Sequence, residues 1–177
     1  QRLMDDLIDL ELEKIDLILN KIDSDPEPDS IKYTEKQLWL NIKEKCIKGR
    51  RTGLGITAEG DMLAALNIKY GTDEGNLFSE KIHQILTLTA YKSSVQLAKE
   101  RGPFEIYNSE KEKNNPFILR IKLEDEQLYN SMVKHGRRNI ALLTIAPTGS
   151  VSILTQTTSG IEPAFLISYM RRRKINP

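Results

Sequence analysis

Asn139-Ile-Ala-Leu-Leu-Thr-Ile-Ala146 stands apart from the rest of this chain. Six of its eight residues are apolar, and it lies between Arg137-Arg138 and Pro147. A short, nearly unbroken apolar run bounded by charge and proline is the pattern of a strand buried on both faces, as in a parallel sheet. Most of what precedes it reads as helix. Residues 3–22 place Leu3, Leu7, Leu10, Ile15, Leu17, Ile18 and Ile22 at helical spacing among acids. Asp23-Ser-Asp-Pro-Glu-Pro-Asp-Ser30 interrupts that period as a loop. Thr34 followed three residues on by Gln37 is a capping-box pattern. It predicts a helix over 34–48, with Leu38, Ile42 and Cys46 on one face and Gly49 as its stop. Further helices are predicted over 57–67, 73–101 (closed by Gly102-Pro103) and 124–135. Residues 104–123 read as loops with a short helix. The expected class is α/β, helix-rich, with 1–177 as a single segment and the buried strand at 139–146.

Composition narrows the function. The chain has 177 residues, 39% of them hydrophobic, enough to bury a core. A lone Cys46 excludes an internal disulfide framework and a cysteine-based zinc cluster. No stretch approaches the roughly 20 apolar residues of a membrane helix, and the start is unlike a secretory signal. A cytoplasmic location is the expectation, with no membrane partner. The first residue is Gln1 rather than Met, as in a processed or excised piece. Lys+Arg and Asp+Glu nearly balance at 26 and 25, yet they are segregated. Residues 1–30 hold ten acids and three bases; residues 134–177 hold seven bases and one acid, Glu162. A basic end suits an anionic partner, or it is a solvated surface or pairs with the acidic start; for the Arg171-Arg-Arg-Lys174 run on its own that second reading is preferred. Bases are not interleaved with aromatics as on a single-strand platform, so no nucleic acid is expected as a partner.

Directly after the apolar run comes Pro147-Thr-Gly-Ser-Val-Ser152, a strand-to-helix junction of small residues. Small side chains let backbone amides approach a phosphate, and the hydroxyls of Thr148, Ser150 and Ser152 offer further donors. The loop has neither the G-K-[ST] of a Walker loop nor the spacing of a dinucleotide fingerprint. It also fits a helix cap with no ligand at all. Glu162, in the turn Ser159-Gly-Ile-Glu-Pro163, reads as a general acid or base, or more simply as a partner for a nearby arginine. His83 reads as a structural or surface histidine, since no second histidine lies at metal-ligand spacing. His135 precedes a glycine at a helix end, where a cation suits the dipole. Cys46 reads as a small buried hydrophobe.

Three stretches in order, Gly49-Arg-Arg-Thr-Gly-Leu-Gly-Ile-Thr57, Asn139–Ser152 with its Ala-Pro-Thr-Gly-Ser, and Ser159-Gly-Ile-Glu-Pro163, resemble the catalytic large chain of ribonucleotide reductases. Leu97-Ala-Lys-Glu-Arg-Gly-Pro103 is similar to the end of that family's long helix. Asp61-Met-Leu-Ala-Ala-Leu66 and the basic run after the Glu-Pro turn look most like the adenosylcobalamin-dependent class. The resemblance implies a ten-stranded α/β barrel, of which this chain would supply flanking helices and one inner strand. It implies a ribonucleotide substrate whose phosphates are held by Pro147, Thr148, Gly149, Ser150 and Val151. It also implies adenosylcobalamin as cofactor and a thioredoxin-type reductant for the full enzyme. Ser150 stands where threonine is common and keeps the hydroxyl. The family's radical chemistry uses a cysteine in an Asn-x-Cys-x-Glu type of motif, which this sequence lacks. The resemblance therefore points to an internal fragment, its radical cysteine expected upstream of Gln1 and its later strands beyond Pro177. A stand-alone phosphate or nucleotide binder and a non-catalytic helical interaction domain are the competing functions.

Overall fold

A computed structural model describes residues 1–166 with Ser168, Met170, Arg172 and Lys174. Eight helices are present among the described residues. They are α1 (Arg2–Ser24), α2 (Asp29–Gly49), α3 (Glu59–Ala65), α4 (Asp73–Arg101), α5 (Ser109–Glu112), α6 (Pro116–Glu124), α7 (Glu126–His135) and α8 (Gly149–Thr155). None of them is long and apolar enough to cross a membrane. The chain packs as two compact units, one of residues 1–54 and 84–144 and the other of 55–83 and 145–177, the division falling inside α4.

In the first unit α1 and α2 form a helical hairpin. Ion pairs of Lys36 with Asp23 and of Lys43 with Asp16 fix its antiparallel register. Ile8, Ile15, Leu19 and Ile22 are buried on one stripe of α1. The helix expected from Thr34 starts earlier, at Asp29. Pro28 is the N-cap, and its carbonyl accepts from the amides of Ile31 and Lys32 at 2.9 and 3.1 Å. The Thr34 hydroxyl donates to the Ser30 carbonyl inside the helix and caps nothing. Gly49 is the last helical residue, and a Cβ there would come 3.2 Å from Ile140 Cγ2. Close approach, rather than a left-handed turn, is what asks for glycine at that position. The left-handed residue is Arg50, at φ 45°.

Two caps organise the helices that follow. Asn115 accepts from the Phe117 amide at 3.0 Å, with Pro116 in the first turn of α6, and Asp125 accepts from the Leu128 amide at 2.9 Å to start α7. The core joins Tyr91 and Val95 of α4, Ile118 and Ile121 of α6, Leu128 and Met132 of α7, and Leu142. His135, at the end of α7, is held below the ordinary histidine range by burial first and then by Lys99 and Lys134. Its surroundings thus work against the charge that the helix dipole favours at that end.

The α/β expectation fails. No strand forms among the described residues, and residues 139–146 make a single isolated parallel bridge, Leu54 to Leu143. The segment is extended and pairs with residues 49–54. Ile140 N donates to Gly49 O (2.9 Å), Thr52 N to Ala141 O (2.9 Å), Leu54 N to Leu142 O (2.6 Å) and Thr144 N to Leu54 O (3.0 Å). One pairing segment on one edge does not make a sheet. Only Asn139 and Leu142 of the eight residues are buried, and Thr144 and Ile145 are exposed, so the run lacks the two covered faces that its composition suggested.

Candidate functional site

The second unit brings together residues from all three stretches that carry the family resemblance. The Thr57 hydroxyl donates to the Thr158 carbonyl at 3.0 Å and lies 2.7 Å from the Thr148 hydroxyl. The Gly160 amide donates to Thr148 Oγ1 at 3.1 Å, and the Thr158 amide to Asp61 Oδ2 at 2.8 Å. A hydroxyl carries one proton. Thr57 gives its proton to the Thr158 carbonyl, so Thr148 must be the donor to Thr57. The chain of donors then runs one way, from Gly160 N–H to Thr148 to Thr57 to the Thr158 carbonyl.

This order changes the roles read from the sequence. Thr148 is the N-cap residue of α8 by position, yet its hydroxyl caps no helix amide. Its proton is already committed to Thr57, so its hydroxyl has no donor left for a phosphate. Ser152 is likewise committed, its hydroxyl donating to the Gly149 carbonyl at 2.8 Å. Of the three hydroxyls expected to serve as donors, only that of Ser150 is exposed and unengaged among the described residues. Pro147, Gly149 and Val151 are also exposed, and Thr148 is half-buried. The amides of Gly149, Ser150 and Val151 bond to no described residue, as befits the first turn of a helix. A Cβ on Gly149 would meet nothing within 4 Å, so open space lies in front of it.

The wall of the site is built by close backbone packing. A Cβ on Gly60 would fall 2.5 Å from Pro163 Cα, so the Ser159–Pro163 turn can lie against the start of α3 only because residue 60 has no side chain. Gly160 sits at φ +69°, and the Glu162 carboxylate folds back to accept from the Ile161 amide at 3.1 Å. Glu162 makes no ion pair with a described arginine. Arg172 and Lys174 of the basic run are exposed, while Arg171 and Arg173 lie outside the described residues. A cavity of about 650 Å³ adjoins the loop, lined by Pro147, Ser152, Thr158, Glu162 and Phe165 among others. The Thr158 hydroxyl, in that lining, is buried without a partner.

His83 Nε2 lies 2.9 Å from Glu59 Oε2, and Glu59 is buried, so this histidine serves packing in α4 and α3. Thr57, Asp61 and Thr158 escaped the sequence reading as site residues. The signal available was the density of hydroxyls over 155–159; nothing local pairs it with Thr57, about a hundred residues earlier.

Comparison with known proteins fits this convergence of motifs. The chain belongs to the ribonucleotide reductase family: the family described as "Ribonucleotide reductase, barrel domain" matches residues 29–176. Among similar curated proteins, the vitamin B12-dependent ribonucleoside-diphosphate reductase of Thermoplasma acidophilum is 35% identical over 131 residues, 73% of this chain. Its namesake in Mycobacterium tuberculosis is 30% identical over 123 residues, 69% of the chain. The ribonucleoside-diphosphate reductase subunit alpha of Treponema pallidum is 27% identical over 128 residues, 71% of the chain. The matched part covers about 15% of the length of each of these relatives.

Proposed function

We propose that this chain is the part of a ribonucleotide reductase that holds the phosphates of the substrate at the loop of Pro147, Thr148, Gly149, Ser150 and Val151, with the amides of Gly149, Ser150 and Val151 and the Ser150 hydroxyl as donors and Pro147 and Thr148 shaping the turn. The observation that carries the reading is the state of that loop: three adjacent unbonded amides and one unengaged hydroxyl, at an exposed turn whose pose is latched from beneath by Thr148 and Thr57. Backbone amides and a serine hydroxyl are neutral donors suited to phosphate oxygens. Substrate orientation and phosphate binding are the roles assigned to this segment. Reduction of the ribose by thiyl-radical chemistry belongs to the whole enzyme, acting on ribonucleoside diphosphates as the relatives' names indicate, with a thioredoxin-type dithiol as reductant and the cytoplasm as its location.

Adenosylcobalamin is the cofactor we assign to the whole enzyme, following the two B12-dependent relatives. The described residues of this chain do not form a site for it. His83 is bonded to Glu59, and Cys46 lines a mixed groove with Ile8, Glu11, Leu38 and Lys45.

The test is Gly149→Asp in the full-length reductase. The added Cβ meets nothing within 4 Å and the carboxylate opposes a phosphate, so the fold should survive while substrate Kd rises at least tenfold, about 1.4 kcal/mol. Ser150→Ala should cost less, about 1 kcal/mol, because the amides remain. Calorimetric titration with a thermal melt of each variant reads both quantities. Unaltered nucleotide affinity in Gly149→Asp removes the assignment.

A further inference from the structure

We infer that Thr57 is a positioning residue for the phosphate loop: its hydroxyl, the acceptor for Thr148, sets where the amides of Gly149, Ser150 and Val151 point. The inference rests on the phosphate-loop reading above and extends it to a residue about ninety positions away. Thr148 is the last residue before α8, and its side chain bonds away from that helix, to residues 57 and 160. Its hydroxyl has two bonds, one received from Gly160 and one given to Thr57. Thr57 in turn is fixed by its own bond to the Thr158 carbonyl, and Thr158 is fixed by Asp61, whose carboxylate accepts from its amide. Asp61 lies in the first turn of α3, two residues from the buried Glu59. The loop thus hangs on a line of single hydrogen bonds that ends in a helix. Remove the Thr57 hydroxyl and the Thr148 hydroxyl keeps only the amide of Gly160, in the next loop along. The loop would then lose its register against α3 while every group that could touch a phosphate remained in the sequence.

A positioning role of this kind has a distinct signature. Binding of the phosphates should suffer, while a ligand without phosphates should not notice. The conservative residue that restores the hydroxyl should restore the affinity. In the full-length reductase, Thr57→Val, Thr57→Ser and Gly149→Asp are compared by titration with cytidine 5′-diphosphate and with cytidine, alongside KM, kcat and a thermal melt. Thr57→Val is expected to raise Kd and KM for the diphosphate about tenfold, with kcat within about twofold and cytidine binding unchanged. Thr57→Ser is expected to return Kd to within about threefold of the parent. Should the valine variant fail to fold, Thr57→Ala carries the same comparison against serine. Diphosphate affinity that is unchanged or tighter in Thr57→Val, while Gly149→Asp weakens it, overturns the positioning role and leaves the loop assignment standing. Equal weakening in valine and serine variants, or equal loss of cytidine binding, also overturns it, because packing rather than the hydroxyl would then be at work. Normal affinity in Gly149→Asp overturns the loop assignment and this inference with it.

Discussion

Ala58 sits at φ 62°, in the left-handed region, as the residue before α3 and the neighbour of Thr57. For a residue with a Cβ that conformation costs about 1–2 kcal/mol. Glycine there would relieve the strain but would add about 0.4–1 kcal/mol of unfolded-chain entropy. Ala58→Gly should therefore stabilise the protein by about 0.5–1 kcal/mol, read as a melt raised by a few degrees. A lowered melt would mean that the alanine methyl packs more than it strains. The sequence offers no warning of this site, since alanine is a good helix former and Ala58-Glu-Gly-Asp reads as ordinary helix. Arg50 is the same kind of surprise. It takes the left-handed turn that Gly49 was expected to take, and its guanidinium runs back to Asp5 and Asp9. At Pro147–Val151 the sequence reading singled out a junction of small residues leading into a helix, and α8 does start there. It could not tell which hydroxyls were already engaged, because the partners of Thr148 lie at positions 57 and 160 and only the folded chain brings them near.

Among elements, one carboxylate ties four segments of the first unit together. Asp5 of α1 is fully buried and accepts from Arg50 Nε (2.8 Å), Arg101 Nη1 (3.1 Å), Arg138 Nε (3.2 Å) and Asn139 Nδ2 (3.1 Å). Those donors come from just past the end of α2, from the last turn of α4 and from the segment after α7. Burial by itself would push the Asp5 carboxyl up; the hydrogen bonds and charges of Arg50 and Arg138 outweigh it and hold the group below its ordinary value of 3.8. A carboxyl lowered on folding stabilises the protein above the unfolded value, and that stability is lost as pH falls through 3.8 and below. The urea midpoint should hold steady at neutral pH and drop between about pH 5 and about pH 3. Asp5→Asn should cost about 3 kcal/mol at neutral pH, since it leaves arginines facing a neutral amide. It should also flatten that acid-side drop, and a variant with the parent's full pH dependence would place the titrating group elsewhere. The acidic start and basic later half were visible as a charge asymmetry. Of the two readings of the basic end, pairing with the acidic start describes Arg138, which meets Asp5, while Arg137 pairs with Glu112.

At the scale of the whole chain, helices were legible from periodicity and stop signals, whereas the strand read at 139–146 does not form among the described residues. Apolar density in residues 139–146 gives no count of neighbouring strands, and pairing with residues 49–54 is set by contacts across about ninety residues. The same scale decides what the chain can do chemically. Reduction of a ribonucleotide by the mechanism proposed for the whole enzyme needs a radical-bearing thiol and a pair of reducing thiols. This chain has one cysteine, Cys46. Cys46 is half-buried on α2, and its thiol is pushed up by burial first and by Glu11 next, so it is a poor thiolate. The isolated chain, supplied with a ribonucleoside diphosphate, adenosylcobalamin and a dithiol, should form no deoxyribonucleotide. In the full-length reductase, Cys46→Ala should leave kcat within about twofold and cost at most about 1–2 kcal/mol of stability, the loss of one small partly buried side chain. The two measurements check each other. Product from the isolated chain would require Cys46 to enter the chemistry, and the alanine variant would then lose activity with its fold intact. If the chain makes no product and the alanine variant keeps its rate, Cys46 has only a packing role, and the contribution proposed for this segment remains phosphate binding at the 147–151 loop.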